Sequence, residues 1–407
     1  MARHNKTDSL MTNDQWDEII DELEKDEEKD EISSEMDIEK KYDEGQARIV
    51  IQRNDFLVPN LLEMFDKHEV LDMSPFYQRR SRWNDKRRSL LIESLLMNIP
   101  IPPIFLYERS YAQYEVMDGQ QRLTAIRSFF RNEFKLRGLR LWRELNNRDY
   151  RDLPPKIQKG LMRRGMSAIL ILAESGKDEQ TSMELRQSVF ERLNTGGERL
   201  NAQEIRNCLY TGHFNDMLIR AARSNEFTSA WDIPPKESGE PHNVSRKLEK
   251  HPLYSKMADV EIVLRYFTLC NLTEYRSGMK KALDQCMIIK KDMSNNECEQ
   301  LEKEYVDVLR IASEIYGHSL FRLSKNGDGL SGRRSVPLAD AVLLATRAHR
   351  NNASVLIGKR AKIMATTDKL LHDPSSRNTL IGKGNTKKDL EERIGLMNKV
   401  FSDEVTL

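Results

Sequence analysis

Val116-Met117-Asp118-Gly119-Gln120-Gln121-Arg122-Leu123-Thr124 is the stretch where the periodicity of the chain changes. Just upstream, Gln113 to Met117 reads as a strand, with Tyr114 and Val116 on one face. Just downstream, Leu123, Ile126, Phe129 and Phe130 recur at helical spacing. Gly119 sits at the change, where a residue without a Cβ lets the chain turn tightly and approach a ligand closely. The stretch is therefore a strand–turn–helix.

Working outward, Ile99-Pro100-Ile101-Pro102-Pro103-Ile104-Phe105-Leu106-Tyr107 breaks a preceding helix and enters another strand. Proline is tolerated at a strand start, where no ladder donor is needed. The helix before it carries Leu90, Leu91, Ser94 and Leu95 on one face, and follows a basic, aromatic loop, Phe76 to Trp83. Still earlier, Ile49 to Ile51 reads as a strand and Val58 to Phe65 as a helix start. On the other side, Ser167 to Leu172 reads as a buried strand. A helix over 183–193 leads to Asn194-Thr195-Gly196-Gly197, and a new helix opens at Asn201. Beyond about 210 the pattern is helical, with stripes at Val260, Val263, Leu264 and Phe267, at Tyr305 to Ile315, and at Ala339 to Thr346. Polar stretches 232–250 and 322–335 read as loops. The fold class is mixed α+β: an α/β domain over 47–210 and an all-helical domain over 211–407. Residues 1–46 form an acidic leader, expected to be disordered, with weak helical spacing between Asp14 and Glu28.

Charge divides the chain as sharply as periodicity does. The net charge of +1 conceals a leader, residues 1–47, with 17 Asp/Glu against 6 Lys/Arg. Residues 75–165 reverse the balance, with 20 basic and 9 acidic residues. A basic central block suits a polyanionic partner such as nucleic acid. The acidic leader either shields that block or is a solvated tail. No run approaches the roughly 18–20 apolar residues that span a bilayer, and no apolar signal core follows Met1. A cytoplasmic protein without a membrane partner is expected. The four cysteines, Cys208, Cys270, Cys286 and Cys298, form no C-x-x-C pair, so neither a zinc site nor a disulfide framework is indicated.

Three places can carry chemistry. At Asp118-Gly119-Gln120-Gln121-Arg122 the positive end of a helix dipole meets a strand end, a favourable place for phosphate. Arg122 can add a charge-assisted fork, Asp118 can hold a metal or orient a water, and Gln120 and Gln121 can bond oxygens. The same residues also satisfy a purely structural capping box between Asp118 and Gln121. The second place is Phe190 to Leu200, where Asn194-Thr195-Gly196-Gly197 forms either an anion-binding nest or a glycine helix cap. The third is Gln78-Arg79-Arg80-Ser81-Arg82-Trp83 with Lys86, Arg87 and Arg88. Arginines beside an aromatic suit phosphate contacts and base stacking, while a solvated basic helix face looks the same in sequence. No P-loop is present, and no histidine pair has metal-nuclease spacing.

In order along the chain, these stretches resemble the GmrSD-type amino-terminal domain, an abundant bacterial family with a ParB/sulfiredoxin-like fold. The resemblance rests on Tyr77-Gln78-Arg79 with Trp83, on Ile92-Glu93-Ser94-Leu95-Leu96 followed by Ile99 to Ile104, and on Val116 to Thr124. It continues through Phe190 to Gly197, Leu200 to Asn207 and Met257 to Arg265, covering roughly 55–270. It implies that Asp118, Gln121 and Arg122 belong to a site that binds or hydrolyses a nucleoside triphosphate with Mg2+. Gly119, Gln120, Thr124 and Arg192 would bind the nucleotide there, and Asn194, Thr195, Gly196 and Gly197 would close the site. It further implies DNA contact through Gln78, Arg79, Arg80, Arg82, Trp83, Arg87 and Arg88, in defence against foreign or modified DNA. The chain departs from the family at Met117, where Ile or Val is usual. It also lacks the histidine pattern of an HNH-like nuclease, so a stand-alone form without cutting of its own is expected, a partner protein supplying any nuclease.

Overall fold

The structure, a computed structural model, describes residues 11–24, 39, 50–67, 70–72, 83–172, 189, 192, 201–238, 240, 244–275, 278–325, 329–382 and 384–406. The chain divides into two compact units, Glu31–Asn201 and a second built from Met1–Asp30 with Ala202–Leu407. Helix α1 (Asn13–Glu24) belongs to the second unit.

The first unit is α/β. Its elements run β1 (Ile51–Leu57), α2 (Val58–Asp66), β2 (Leu71–Asp72), α3 (Asp85–Leu96), β3 (Ile104–Ser110), β4 (Gln113–Asp118), α4 (Gln120–Phe130), α5 (Pro155–Met162) and β5 (Gly165–Ile171). The five strands form one mixed sheet in the order β1-β5-β3-β4-β2. Pairs β1–β5 and β3–β4 are antiparallel, and β3–β5 and β2–β4 are parallel. Strand β4 therefore has neighbours on both sides, and Glu115, Val116 and Met117 are all buried rather than alternating. The core gathers Ile104, Leu106 and Val116 from the sheet, Leu123, Ile126 and Phe129 from α4, Leu91, Ile92 and Leu95 from α3, and Leu61 and Phe65 from α2. Each fully buried side chain of this size contributes about 1.5–3 kcal/mol.

Helix α3 differs from its sequence reading in which face is buried. It starts where the Asn84 side chain accepts the Arg87 N–H at 2.9 Å, an N-cap. Leu90 and Ser94 are only half-buried, whereas Ser89 and Glu93 are buried with Leu91, Ile92 and Leu95. The reason is a neighbouring loop. Glu93 Oε1 accepts the backbone N–H groups of Arg140, Leu141 and Trp142 at 3.0, 2.8 and 3.0 Å. Ser89 Oγ accepts that of Arg137 at 2.8 Å. Burial alone would raise the Glu93 pKa, but the three amides outweigh it and hold the carboxyl below its ordinary range.

The second unit is helical. After α1 it comprises α6 (Ala202–Leu209), α7 (His213–Ala221), α8 (Asn225–Ala230), α9 (Arg246–Glu249), α10 (Pro252–Ser255), α11 (Ala258–Leu269), α12 (Gly278–Lys290), α13 (Asn295–Tyr316), α14 (Val336–Ala348), α15 (Ala353–Gly358), α16 (Arg360–His372), α17 (Pro374–Arg377) and α18 (Lys387–Thr406). Helix α11 is buried along its whole length, so its charged residues must find partners. Glu261 meets Arg206 of α6 at 3.0 Å, and Arg206 also reaches Asp284 of α12 at 2.7 Å. Arg265 pairs with Asp340 of α14 at 2.5 Å.

Helix α1 lies inside the acidic leader and is docked rather than solvated. Its apolar spacing, Trp16, Ile19 and Ile20, is buried. Glu22 Oε2 accepts the Val336 N–H at 2.8 Å at the start of α14, and Arg333 pairs with Glu18 and Glu22 at 2.5 and 2.8 Å. Among the described residues no helix is long and apolar enough to cross a membrane.

The Trp16 ring also packs edge-on against His251, with ring centroids 4.7 Å apart. Burial pushes the His251 pKa down to about 4. The folded state thus disfavours a proton that the unfolded chain accepts near pH 6.5. Stability from this group is present above pH 6.5 and is lost as pH falls towards 4. We expect His251→Gln to flatten the loss of stability between pH 6.5 and 4 in urea unfolding. An unchanged pH profile would place the sensitivity elsewhere.

Candidate functional site

The site is assembled where β4 hands over to α4. Gly119 is the N-cap of α4 and holds φ at +96°, in the left-handed region that favours glycine. Space requires glycine as well, because a Cβ there would lie 2.5 Å from Cγ2 of Ile104 on β3. The β3–β4 pairing is irregular beside the turn: Phe105 faces Asp118 and Leu106 faces Val116, leaving Met117 as the extra residue. Such a bulge re-aims the end of a strand, here the end that carries Asp118.

Arg122 closes the turn from the other side. Its Nη2 donates to Asp118 Oδ2 at 2.6 Å and its Nη1 to the Pro102 carbonyl at 2.5 Å. One planar guanidinium therefore ties the entry to β3, the end of β4 and the first turn of α4. The Arg122 side chain is 11% exposed and the Asp118 side chain 29%. Asp118 is thus partly open to solvent and fixed through one of its two oxygens. Its other oxygen, Oδ1, has no hydrogen bond among the described residues. The capping box between Asp118 and Gln121 is not formed. The cap residue is Gly119, with no side-chain cap, and Gln121 Oε1 instead accepts the Trp83 N–H at 3.3 Å.

That bond joins two regions separated by 38 residues. It brings the end of the basic, aromatic segment to the first turn of α4. The Arg87 guanidinium lies 4.7 Å from the centre of the Trp83 ring. Arg88 lies near the Phe134 ring and 3.8 Å from Asp85. Gln120 and Thr124 are half-buried on α4. Gln78, Arg79, Arg80 and Arg82 lie outside the described residues, as do Asn194, Thr195, Gly196 and Gly197. Arg192 is described and exposed. Among the described residues no three His, Cys, Asp or Glu side chains converge as they would around a metal ion held by protein alone.

Three participants were not singled out from sequence: the Pro102 carbonyl, the Trp83 amide and Ile104. Only the prolines at 102–103 signalled the first, by breaking the helix beside the strand. Arg206 was legible only as part of a motif, although an arginine facing into an apolar helix bundle demands a carboxylate partner.

Gly119→Ala should cost about 1–3 kcal/mol through its positive φ alone, and more through the clash with Ile104. In an Ile104→Ala background, and measured against Ile104→Ala alone, the same glycine substitution should lose the clash component and keep the conformational one. Urea unfolding of the single and double variants measures both. A Gly119→Ala protein as stable as the parent would contradict this turn geometry.

No curated protein and no solved structure is a match to the chain. Residues 58–211, from α2 to just past α6, match the family model described as GmrSD restriction endonuclease, N-terminal domain. The turn at Asp118–Arg122 thus lies within the stretch that matches the GmrSD restriction endonuclease amino-terminal domain model.

Proposed function

We propose that the chain binds a nucleoside triphosphate with Mg2+ at the Asp118–Arg122 turn, hydrolyses it, and contacts DNA in a restriction-type defence against foreign or modified DNA. The observation that carries this reading is the placement of one partly exposed carboxylate, held by Arg122, at the amino-terminal end of α4 on a glycine turn. The positive end of the helix dipole favours phosphate there, and the missing Cβ allows a close approach. A carboxylate beside a triphosphate is repulsive unless a cation lies between them. Mg2+ commonly keeps several of its own waters and is bound largely through substrate phosphates, so it would face Asp118 through a water and leave Oδ1 open. When bound, the metal supplies charge neutralisation on the phosphates.

The residues divide the remaining work. Asp118 orients the attacking water and takes its proton at Oδ1. Arg122 positions Asp118 and does not itself present a fork to phosphate. Gln121 holds Trp83, and Gln120 and Thr124 lie on the same end of α4 for contacts to the nucleotide. Arg192 and the Asn194–Gly197 segment close over the nucleotide in this reading. Gln78, Arg79, Arg80, Arg82, Trp83, Arg87 and Arg88 face DNA, on a ParB/sulfiredoxin-like scaffold in the cytoplasm. A partner protein supplies any nuclease.

A second reading is favoured by one observation. Arg122 spends both terminal nitrogens inside the protein, as it would in a non-catalytic DNA- or protein-binding module whose turn is structural. Hydrolysis assays on the full chain with each of the four ribonucleoside triphosphates and Mg2+, with and without DNA, separate the two. We expect one nucleotide to be hydrolysed, and Asp118→Asn to lower the rate by about 10²-fold or more, the usual worth of a positioned general base. Melting temperatures without nucleotide control for folding. No hydrolysis of any nucleotide, together with no thermal shift, would leave the structural module as the account.

A further inference from the structure

The α/β unit carries a further basic stretch, later in the chain than the segment ending at Trp83. Between Arg131 and Arg164 there are eleven Lys/Arg and four Asp/Glu, and Asp149 among the acids is buried. Within this stretch the loop Arg137-Gly138-Leu139-Arg140-Leu141-Trp142-Arg143 exposes two large apolar side chains together. Leu141 is 66% exposed and Trp142 36%. Arg137, Arg140 and Arg143 flank them along the chain and are themselves exposed.

The loop is held in one conformation from beneath. The amides of Arg140, Leu141 and Trp142 end on Glu93, that of Arg137 on Ser89, and that of Leu139 on Asn146 Oδ1 at 3.1 Å. Gly138 holds φ at +67°, and the aliphatic stem of Lys86 lies over it. Arg143 Nε donates to the Arg140 carbonyl at 3.3 Å. A buried carboxylate and a buried hydroxyl are thus spent on fixing a loop whose apolar residues point into water. Such a display costs free energy in the isolated protein, and a fixed conformation reduces the ordering cost when a partner arrives.

The charge identifies the partner as a polyanion, and the apolar pair shows that phosphate contact is not the whole interaction. We propose that this loop is a contact element for duplex DNA, with Arg137, Arg140 and Arg143 on backbone phosphates and Leu141 and Trp142 against the bases. Leucine and other apolar side chains inserted between base steps are an established way for proteins to grip a duplex, and arginine neutralises phosphate with release of counterions. This rests on the DNA-contact part of the proposed function and adds residues outside the Gln78–Arg88 group. Lys86, on α3, meets this loop at Gly138.

The test is DNA affinity of the full-length protein against salt concentration, on matched duplex and single-stranded oligonucleotides, for the parent and two double variants. Leu141→Ser with Trp142→Ser should weaken duplex binding by tenfold or more while leaving the salt slope unchanged. Arg140→Gln with Arg143→Gln should lower the slope of log affinity against log salt by about 0.9 per arginine. All four residues are exposed, so parental melting temperatures are expected and confirm folding. Parental duplex affinity and slope in both variants would overturn the loop assignment while leaving DNA contact at Trp83 and its neighbours intact. A loss confined to single-stranded DNA would overturn the duplex assignment. A parent that binds no DNA would overturn this inference and the DNA part of the proposed function together, while nucleotide hydrolysis would stand on its own assay.

Discussion

The two-pronged bond of Arg122, to the Asp118 carboxylate and to the Pro102 carbonyl, is the interaction on which the α/β unit depends. It joins the end of β4 to the first turn of α4 four residues on, and ties both to the proline-rich entry to β3, 20 residues before Arg122. Lysine could not replace it, because a single ammonium on a flexible stem lacks the planar fork that serves both acceptors. Beneath it, Ile104 packs so closely on Gly119 that no side chain fits there. The guanidinium and the glycine together fix where the Asp118 carboxylate stands relative to the helix dipole, which is what a phosphate-handling turn requires.

The helical unit has its own constraint. Helix α11 is buried on every side, yet carries Glu261 and Arg265 one turn apart. Each is matched by an opposite charge from another helix, Arg206 of α6 and Asp340 of α14. Removing one member of such a pair leaves an uncompensated buried charge, typically a cost of about 3–5 kcal/mol. Burial and the two carboxylates act on Arg206 in opposite directions, and the carboxylates prevail, raising its pKa. These pairs specify which helices meet, a job that apolar side chains alone would do less selectively. The stretches Leu200–Asn207 and Met257–Arg265, noticed in the sequence as separate motifs, are two halves of this one network.

Much of this was legible in the sequence because it is local. The change of period at Gly119, the prolines before β3 and the apolar stripes of α11, α13 and α14 each reflect neighbours along the chain. The 58–211 match bears out the family that those motifs suggested. What could not be read was set by partners distant in sequence. Glu93 is one polar residue on a helix in the sequence, and only the loop 47–49 residues later explains its burial. Strand β2 has two residues, Leu71 and Asp72, too few for any periodicity. The docking of α1 depends on Arg333 and the start of α14, more than 300 residues away. The capping box failed because Trp83, not the Asp118 backbone, claimed the Gln121 side chain.

The central claim, that a triphosphate settles on the turn at Asp118–Arg122, is tested most directly by backbone amide exchange. Deuterium uptake across α4 should be followed in the full chain with and without a saturating Mg-nucleoside triphosphate. The account predicts slower exchange at the amides of residues 119–122, because phosphate oxygens would accept them, with little change at the carboxy-terminal end of α4. Unchanged exchange at 119–122, under conditions where the nucleotide demonstrably binds, would contradict it and move the nucleotide site elsewhere.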